Sequence, residues 1–532
     1  MNLQTGTRPV QESRVDYIVL GVLCLFLVWR CFTMGGEIMN LDELGSLHLI
    51  HDPSVSHMLK ALGDQADANP PVYYLVARIW AAIFSESAFS LRLFSTGCFC
   101  VGFILVWAAL RPRFGWEATL LAFAVVLLPN NEIAAQMVNV RCYCLLFALV
   151  ALTVWLGMKL SEVERPSWKL LAGNSLAQAM LILTHPLAGF SSAAILIGLM
   201  LSDFFARPRR WRPWIPTSFM IGWLALLLWL KQFLRQANVN VPSSWVPVPS
   251  WNNFSHEISE ENNFQLYFWF VPVLVAVWFF QRWQSRRTIS TTSTARLLTP
   301  GMIGISLIAL APLFYLISHL WPTNSIFLPR YLIPATIGWM ILLAGVTVMI
   351  MRETSLGNHR LLPWAAVILT VFGAGVSIIQ AVDQRSNNPE GPYYRLYQTG
   401  VTDPWFGHRE LPIVSPSMNM VVPCWHYSDE RSRYYYLLDW DAAISPMSPP
   451  GENVAYKIAT AFRKYGYETN IMEAADFFRA HPVFLLQDIP RYQNWCSIYL
   501  SNHSYQMTRL QPERPLGKHQ DESPLVLVEI KQ

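Results

Sequence analysis

The chain has 532 residues, 53% of them hydrophobic and only 14% charged, with a mean hydropathy of +0.29; soluble globular chains carry about 25% charge. This composition excludes an ordinary soluble enzyme and makes lipid the solvent for much of the chain. The net charge of +4 divides unevenly, because 14 basic and 17 acidic residues from Asp383 onward give −3 and leave +7 before it. A basic excess in the apolar part is what cytoplasmic loops produce, and it gives no reason to invoke nucleic acid.

The first fifteen residues are polar, and no small-residue cleavage site follows the apolar stretch Tyr17–Trp29. The pattern predicts an uncleaved first span with a cytoplasmic N-terminus. Apolar runs then recur as far as Val382, and Arg and Lys cluster at Arg111–Arg113, Lys159–Lys169, Arg207–Arg212, Arg282–Arg287 and Arg352–Arg360. Placing each cluster in the cytoplasm predicts eleven spans. They are Tyr17–Met34, Leu91–Leu110, Ala118–Gln136, Val138–Met158, Leu170–Thr184, Leu187–Phe205, Trp214–Phe233, Phe264–Phe280, Gly301–Leu320, Tyr331–Met351 and Leu362–Val382. The stretch Pro70–Phe84 is too short to cross. Its opening Pro70-Pro71 pair and its Arg78 predict a helix lying on the outer interface. Residues 35–90 thus form one large outer loop, with further outer segments at Arg235–Asn263 and Trp321–Arg330.

From Asp383 onward the sequence is polar and rich in Pro. Runs at Tyr434–Leu438, Val483–Leu486 and Leu525–Ile530 predict strands, and Val454–Tyr465 and Ile471–Arg479 predict helices. The fold class is therefore a polytopic α-helical membrane protein of about eleven spans, residues 1–382, followed by a small extracytoplasmic α/β domain, residues 383–532. No glycine-rich phosphate fingerprint occurs at the predicted strand ends. Six of the eight cysteines lie in apolar runs, where they act as small hydrophobes. Cys424 and Cys496 fall in the polar part and are candidates for a disulfide if it is extracytoplasmic.

Two adjacent carboxylates, Asp42 and Glu43, open the first outer loop just after the first span. Charge this close to lipid usually has a function, although an acid here also suits a helix cap. Arg141, Arg330, Lys231 and Arg235 fall at outer span ends in the same scheme, so cations and carboxylates from distant segments share one face. Guanidinium groups bind phosphate in bidentate fashion and gain strength as charge builds on a departing phosphate. The bland alternative for each cation is snorkelling to lipid headgroups. His48, His51 and His57 could join the carboxylates around a divalent metal ion, but scattered loop histidines are more often structural. Trp245 and Trp251 could stack on a sugar face or anchor the membrane interface.

Several motifs, in order and spacing, resemble the type-C membrane glycosyltransferases, especially the bacterial branch akin to protein O-mannosyltransferases and the aminoarabinose transferase of lipid A. They are Leu41-Asp-Glu43, Asn69-Pro-Pro-Val-Tyr-Tyr74, Ser90-Leu-Arg92, Arg141-Cys-Tyr143, Thr184-His185 and Leu328-Pro-Arg-Tyr-Leu-Ile-Pro334. The resemblance implies a polyprenyl-phosphate sugar donor, a glycan, lipid or protein acceptor on the outer face of a bacterial plasma membrane, and inversion at the anomeric carbon. It implies Asp42 as the catalytic carboxylate; Glu43, beside it in the catalytic pair, is read as supporting that carboxylate or ligating a metal. Arg330 and Arg141 map near the donor phosphate, and Tyr331, Tyr143 and His185 fall within the shared motifs. Many relatives carry His or Lys where this chain has Asn69, so Arg78 or Arg92 would supply that cation, and Lys231 is a further candidate. A secondary transporter is one rival, but its site would sit near the midplane, often in internal repeats, whereas the charges here lie at outer helix ends and no halves repeat. A ligase or polymerase using diphosphate-linked sugars is the other, and it would place its key residues in a late outer loop where this chain concentrates acids in the first.

Overall fold

The computed structural model describes residues 14–34, 39–127, 130–206, 209–237, 244–256, 291–353, 408, 410–446, 448, 450–487, 496, 500, 505–510 and 525–530. Helix α1 (Arg14–Met34) leads into three short helices, α2 (Leu41–His51), α3 (Val55–Gly63) and α4 (Val72–Ile83). The helical bundle follows: α5 (Ala88–Phe114), α6 (Trp116–Leu127), α7 (Asn131–Met137), α8 (Tyr143–Glu162), α9 (Trp168–Ile182), α10 (Ala188–Phe205), α11 (Trp214–Trp223) and α12 (Leu226–Ala237). After α13 (Trp251–His256) come α14 (Thr291–Ile308), α15 (Leu310–Leu320) and α16 (Ile333–Glu353).

Among the described residues, five stretches are long and apolar enough to cross a membrane: Ala88–Phe114, Tyr143–Glu162, Ala188–Phe205, Leu297–Leu320 and Pro329–Met349. Counting each of two broken helix pairs as a span raises this to seven. The spans expected at 264–280 and 362–382 lie outside the described residues, as does the junction at 382–383.

Two expected spans are not single helices. Ala118–Gln136 divides into α6 and α7 because Asn130 caps a new helix, its Oδ1 accepting from the Ile133 amide at 2.8 Å. The sequence Leu128-Pro129 just before it also disfavours helix continuation. Trp214–Phe233 divides into α11 and α12, which meet at 55°. The span expected from Val138 starts instead at Tyr143, because Val138–Cys142 forms a turn. Helix α9 has 15 residues, about 22 Å at 1.5 Å per residue, short of a roughly 30 Å hydrocarbon core. The helix expected at 70–84 is present as α4, and at 12 residues it is too short to cross.

The bundle closes through small residues. A Cβ on Gly338 of α16 would stand 2.6 Å from the Gly304 carbonyl oxygen of α14, so the two backbones cross in contact. Phe99 of α5 stacks on Phe147 of α8 and Phe103 meets the same ring edge-on, each at 5.0 Å between centroids, in the bundle core.

The C-terminal region is a small α/β layer built from β1 (Ile413–Val414), α17 (Met418–Tyr427), β2 (Tyr434–Leu438), α18 (Trp440–Ala443), α19 (Glu452–Lys464), β3 (Ile471–Glu473), α20 (Ala474–Ala480), β4 (Val483–Gln487), β5 (Tyr505–Arg509) and β6 (Leu525–Ile530). The strand order is β3-β2-β1-β4-β6-β5, parallel from β3 to β4 and antiparallel from β4 to β5. The helix expected from Ile471 therefore begins at Ala474, its first three residues forming an edge strand. Cys424 and Cys496 are both buried free thiols in different hydrophobic clusters, so the disulfide considered from sequence does not form.

The α/β layer rests on α2 and α3. The Tyr427 hydroxyl accepts from the Met39 amide at 3.0 Å, and the Tyr467 and Tyr465 hydroxyls donate to Asp52 at 2.6 Å and Asp64 at 2.7 Å. His57 shares Asp52, also at 2.6 Å. The short helices of the first loop are thus held between the bundle and the sheet.

Candidate active site

The neighbouring carboxylates Asp42 and Glu43 have opposite surroundings. Asn40 caps α2, its Oδ1 accepting from the Glu43 amide at 3.0 Å while Glu43 Oε2 accepts from the Asn40 amide at 3.1 Å. Glu43 also takes Arg92 in bidentate fashion, at 3.1 and 2.9 Å, and accepts from the Val140 amide at 3.0 Å. Both Glu43 and Arg92 are 3% exposed. The capping reading weighed for this acidic pair applies to Glu43, which has no oxygen left for chemistry. Arg92, expected near substrate, is its buried counterion.

Asp42, one position earlier, makes no cap. Its side chain is 42% accessible in the first turn of α2, with the Arg330 guanidinium 3.6 Å from Oδ2. Arg141 reaches the backbone of the same residue, donating to the Asp42 carbonyl at 3.1 Å, to Ser46 Oγ at 3.2 Å and to Asp67 Oδ2 at 2.5 Å. Burial raises the Asp42 pKa, but the fields of Arg141 and Arg330 outweigh it and hold the carboxyl below its ordinary value.

Asp67 escaped the sequence reading, although it is the group that fixes Arg141. It also accepts from the backbone and side-chain amides of Asn69 at 3.0 and 2.8 Å, which ties it to the Pro-Pro turn that opens α4. The only sequence signal was its place two residues before Asn69.

An aromatic box surrounds Arg330. Its guanidinium carbon lies 5.1 Å from the Trp245 ring centroid, 5.7 Å from Tyr143 and 5.8 Å from Tyr331. His185 stands 5.5 Å from Tyr143 and 5.3 Å from Tyr331, ring to ring. Its Nδ1 accepts from the Leu187 amide at 3.1 Å, so a neutral ring carries its proton on Nε2. Three buried donors in this neighbourhood find no partner among the described residues: Arg141 Nε, Arg330 Nε and the Tyr73 hydroxyl. Buried polar groups are nearly always satisfied, so unmet donors concentrated around two guanidinium groups mark a site built for an anion.

Five expected residues therefore gather around Asp42: Arg141, Arg330, Tyr143, Tyr331 and His185. Two others stand elsewhere. Arg78 donates to the carbonyls of Ile50, at 3.1 Å, and Asp52, and so pins the end of α2. Lys231 lines a separate opening with Gln65, Arg235 and Lys457. The three loop histidines do not converge, since His48 meets Glu468, His51 meets Glu86 and His57 meets Asp52. Among the described residues no group of three His, Cys, Asp or Glu side chains stands ready to hold a metal ion.

The site thus sets an accessible carboxylate beside two arginines where a helical bundle meets a small α/β layer. Residues 68–233 match the family described as dolichyl-phosphate-mannose-protein mannosyltransferase. Over 97% of its length the chain shares its fold with ArnT from Cupriavidus metallidurans. The apo crystal structure aligns at 12% identity with a TM-score of 0.56, and the structure bound to undecaprenyl phosphate at 13% identity with a TM-score of 0.57; each alignment covers 98% of the ArnT chain. The family resemblance drawn from the sequence is thereby borne out. No curated protein matches the chain by sequence.

Proposed function

We propose that the protein transfers a sugar from a polyprenyl-phosphate donor to an acceptor hydroxyl on the extracytoplasmic side of the membrane, with inversion at the anomeric carbon. The observation that carries this reading is the accessible Asp42 carboxylate set between two guanidinium groups with unmet donors. The fold shared with a protein solved with undecaprenyl phosphate supports a lipid-phosphate donor. In this reading the first loop and the α/β layer face outward, and residues 1–382 and 383–532 form two domains.

The donor phosphate binds Arg330 and Arg141, and the sugar lies over Asp42. The acceptor oxygen attacks the anomeric carbon as the bond from that carbon to the phosphate oxygen breaks. The electron pair of the broken bond leaves with the lipid phosphate, whose added charge the two arginines stabilise. Asp42 takes the acceptor proton. In the free protein its low pKa makes it a weak base, but a phosphate that draws Arg330 away also removes the cation that depresses it. Proton transfer late in the reaction, when the attacking oxygen has become acidic, suits such a base.

Proteoliposomes supplied with donor and acceptor test this. Asp42→Asn is expected to fold normally and lose transfer by at least about 10³-fold, within the range for removing both base and orientation. Turnover within tenfold of wild type would remove Asp42 from the role. Arg330→Ala is expected to weaken donor binding and also lower kcat by roughly 10²-fold, since it acts on charge that develops in the transition state.

A further inference from the structure

The turn between α9 and α10 is held from two sides. Pro186 disfavours a helical His185, and the Ala188 amide returns to the His185 carbonyl at 3.0 Å. One turn residue earlier, the Leu183 carbonyl accepts from the Val72 amide at the start of α4, also at 3.0 Å. This backbone sets the His185 ring, 3% exposed, against Tyr143 and Tyr331, whose own rings stand 6.2 Å apart. The Arg330 guanidinium packs against the same two tyrosines.

The two ring nitrogens have different surroundings. Nδ1 accepts from the amide of Leu187, the N-cap of α10, and the positive end of a helix disfavours an imidazolium there. Burial, with the fields of Arg141 and Arg330 adding, pushes the ring's pKa down to about 3. His185 is therefore a neutral ring whose one proton sits on Nε2. That proton has no acceptor among the described residues. A ring needed only to pack against the tyrosines requires no N–H, and a ring needed only to hold Leu187 uses Nδ1 alone. Neither role engages Nε2, and a buried N–H is rarely left without an acceptor.

We propose that His185 is an uncharged donor to the lipid phosphate, its Nε2–H bonding a phosphate oxygen beside the guanidinium groups of Arg330 and Arg141. The assignment rests on the proposed function. A neutral N–H adds direction without adding charge, so it orients the phosphate as its bond to the anomeric carbon breaks.

The test turns on which amide replaces which nitrogen. In His185→Asn the side-chain oxygen takes the place of Nδ1 and accepts from Leu187, but the Nε2 donor is gone; in His185→Gln the amide nitrogen takes the place of Nε2. Full-length protein in nanodiscs is titrated with a polyprenyl phosphate and with the matching polyprenol, and thermal unfolding without ligand checks that each variant is folded. Wild type is expected to prefer the phosphate. His185→Asn is expected to bind it about tenfold more weakly, the usual contribution of one hydrogen bond to an anion, with polyprenol binding unchanged. His185→Gln is expected to stay within about threefold of wild type. A histidine with only a structural role reverses this order, Asn retaining the affinity and Gln losing it, and that result overturns the proposal. So does equal affinity in all three. Should His185→Asn unfold, His185→Phe, which keeps a ring but no donor, carries the same expectation. A wild type with no preference for phosphate over alcohol overturns the phosphate reading on which the assignment stands, a failure distinct from equal binding by the variants.

Discussion

Two adjacent carboxylates with the same chemistry have been assigned separate tasks by what lies beside them. Glu43 is enclosed by Asn40, Arg92 and Val140, whereas Asp42 meets only cations and open space. Neutralising Glu43 leaves a buried Arg92 without its counterion, a defect that costs about 3–5 kcal/mol in comparable pairs. Glu43→Gln should therefore lower thermal stability markedly, while Asp42→Asn should leave it nearly unchanged; equal melting temperatures for the two variants would contradict this division. A second expectation concerns pH. The arginines hold Asp42 below the ordinary carboxyl value of 3.8 in the free protein, so it stays ionised, and kcat/KM stays level, until pH falls through that depressed value. With donor phosphate competing for Arg330, the acid limb of the kcat profile should lie at higher pH than that of kcat/KM, and coincident limbs would argue against the competition. Asp42, Arg141 and Arg330 could be found in the sequence because charge beside lipid is conspicuous. Asp67 could not, since an acid among the polar residues Asp64-Gln65-Ala66-Asp67 has no periodicity to set it apart.

At the scale of elements, strands Tyr434–Leu438 and Leu525–Ile530 carried a legible apolar and β-branched pattern and form over those same residues. The two-residue β1 and three-residue β3 are too short for any period to register, and their pairing is decided by the neighbouring strands. The break between α11 and α12 lay under continuous hydrophobicity, which measures affinity for lipid and not helix continuity, whereas the α6–α7 break coincides with a Pro-Asn-Asn-Glu stretch, 129–132, inside the expected span. The contact between α2 and the loop after α19 is pH-sensitive in both directions. Burial pushes Glu468 up to about 7, with Arg431 opposing, and pushes His48, 3.4 Å away, down to about 4, with His426 and His51 adding. A carboxyl with a raised folded pKa stabilises the contact below its unfolded value of 4.5 and loses that contribution as pH rises through about 7. A histidine with a lowered folded pKa stabilises it above 6.5 and loses that contribution as pH falls toward about 4. Glu468→Gln should therefore raise the melting temperature at pH 8 and leave it unchanged at pH 4.5; a variant that is less stable at pH 8 would show that the carboxylate is wanted charged.

On the scale of the whole molecule, the α/β layer reaches the site through one glycine. Gly451, at φ +92° before α19, lies so close to Trp245 that an added Cβ would stand 2.4 Å from the Trp245 Cβ, and the Trp245 ring packs 5.1 Å from the Arg330 guanidinium. Ser325 Oγ donates to the Pro247 carbonyl at 2.9 Å, which ties the Trp245 segment to the turn that carries Arg330. Gly451→Ala should displace Trp245, add the strain of a left-handed backbone for a side-chain-bearing residue, and raise the KM for donor by roughly tenfold through lost orientation. Unaltered kinetics in a folded variant would show that Trp245 is free to adjust.

The same contact sets an order of events during synthesis. Asp42 and Arg141 emerge from the ribosome early, but Trp245 is braced over Arg330 only when residues near 451 have been made and, in the proposed orientation, moved across the membrane and folded. Until then a nascent or truncated chain holds the carboxylate and the bundle without a fully seated cation pair. Seating of Trp245 over Arg330 thus waits on the part of the chain that carries Gly451.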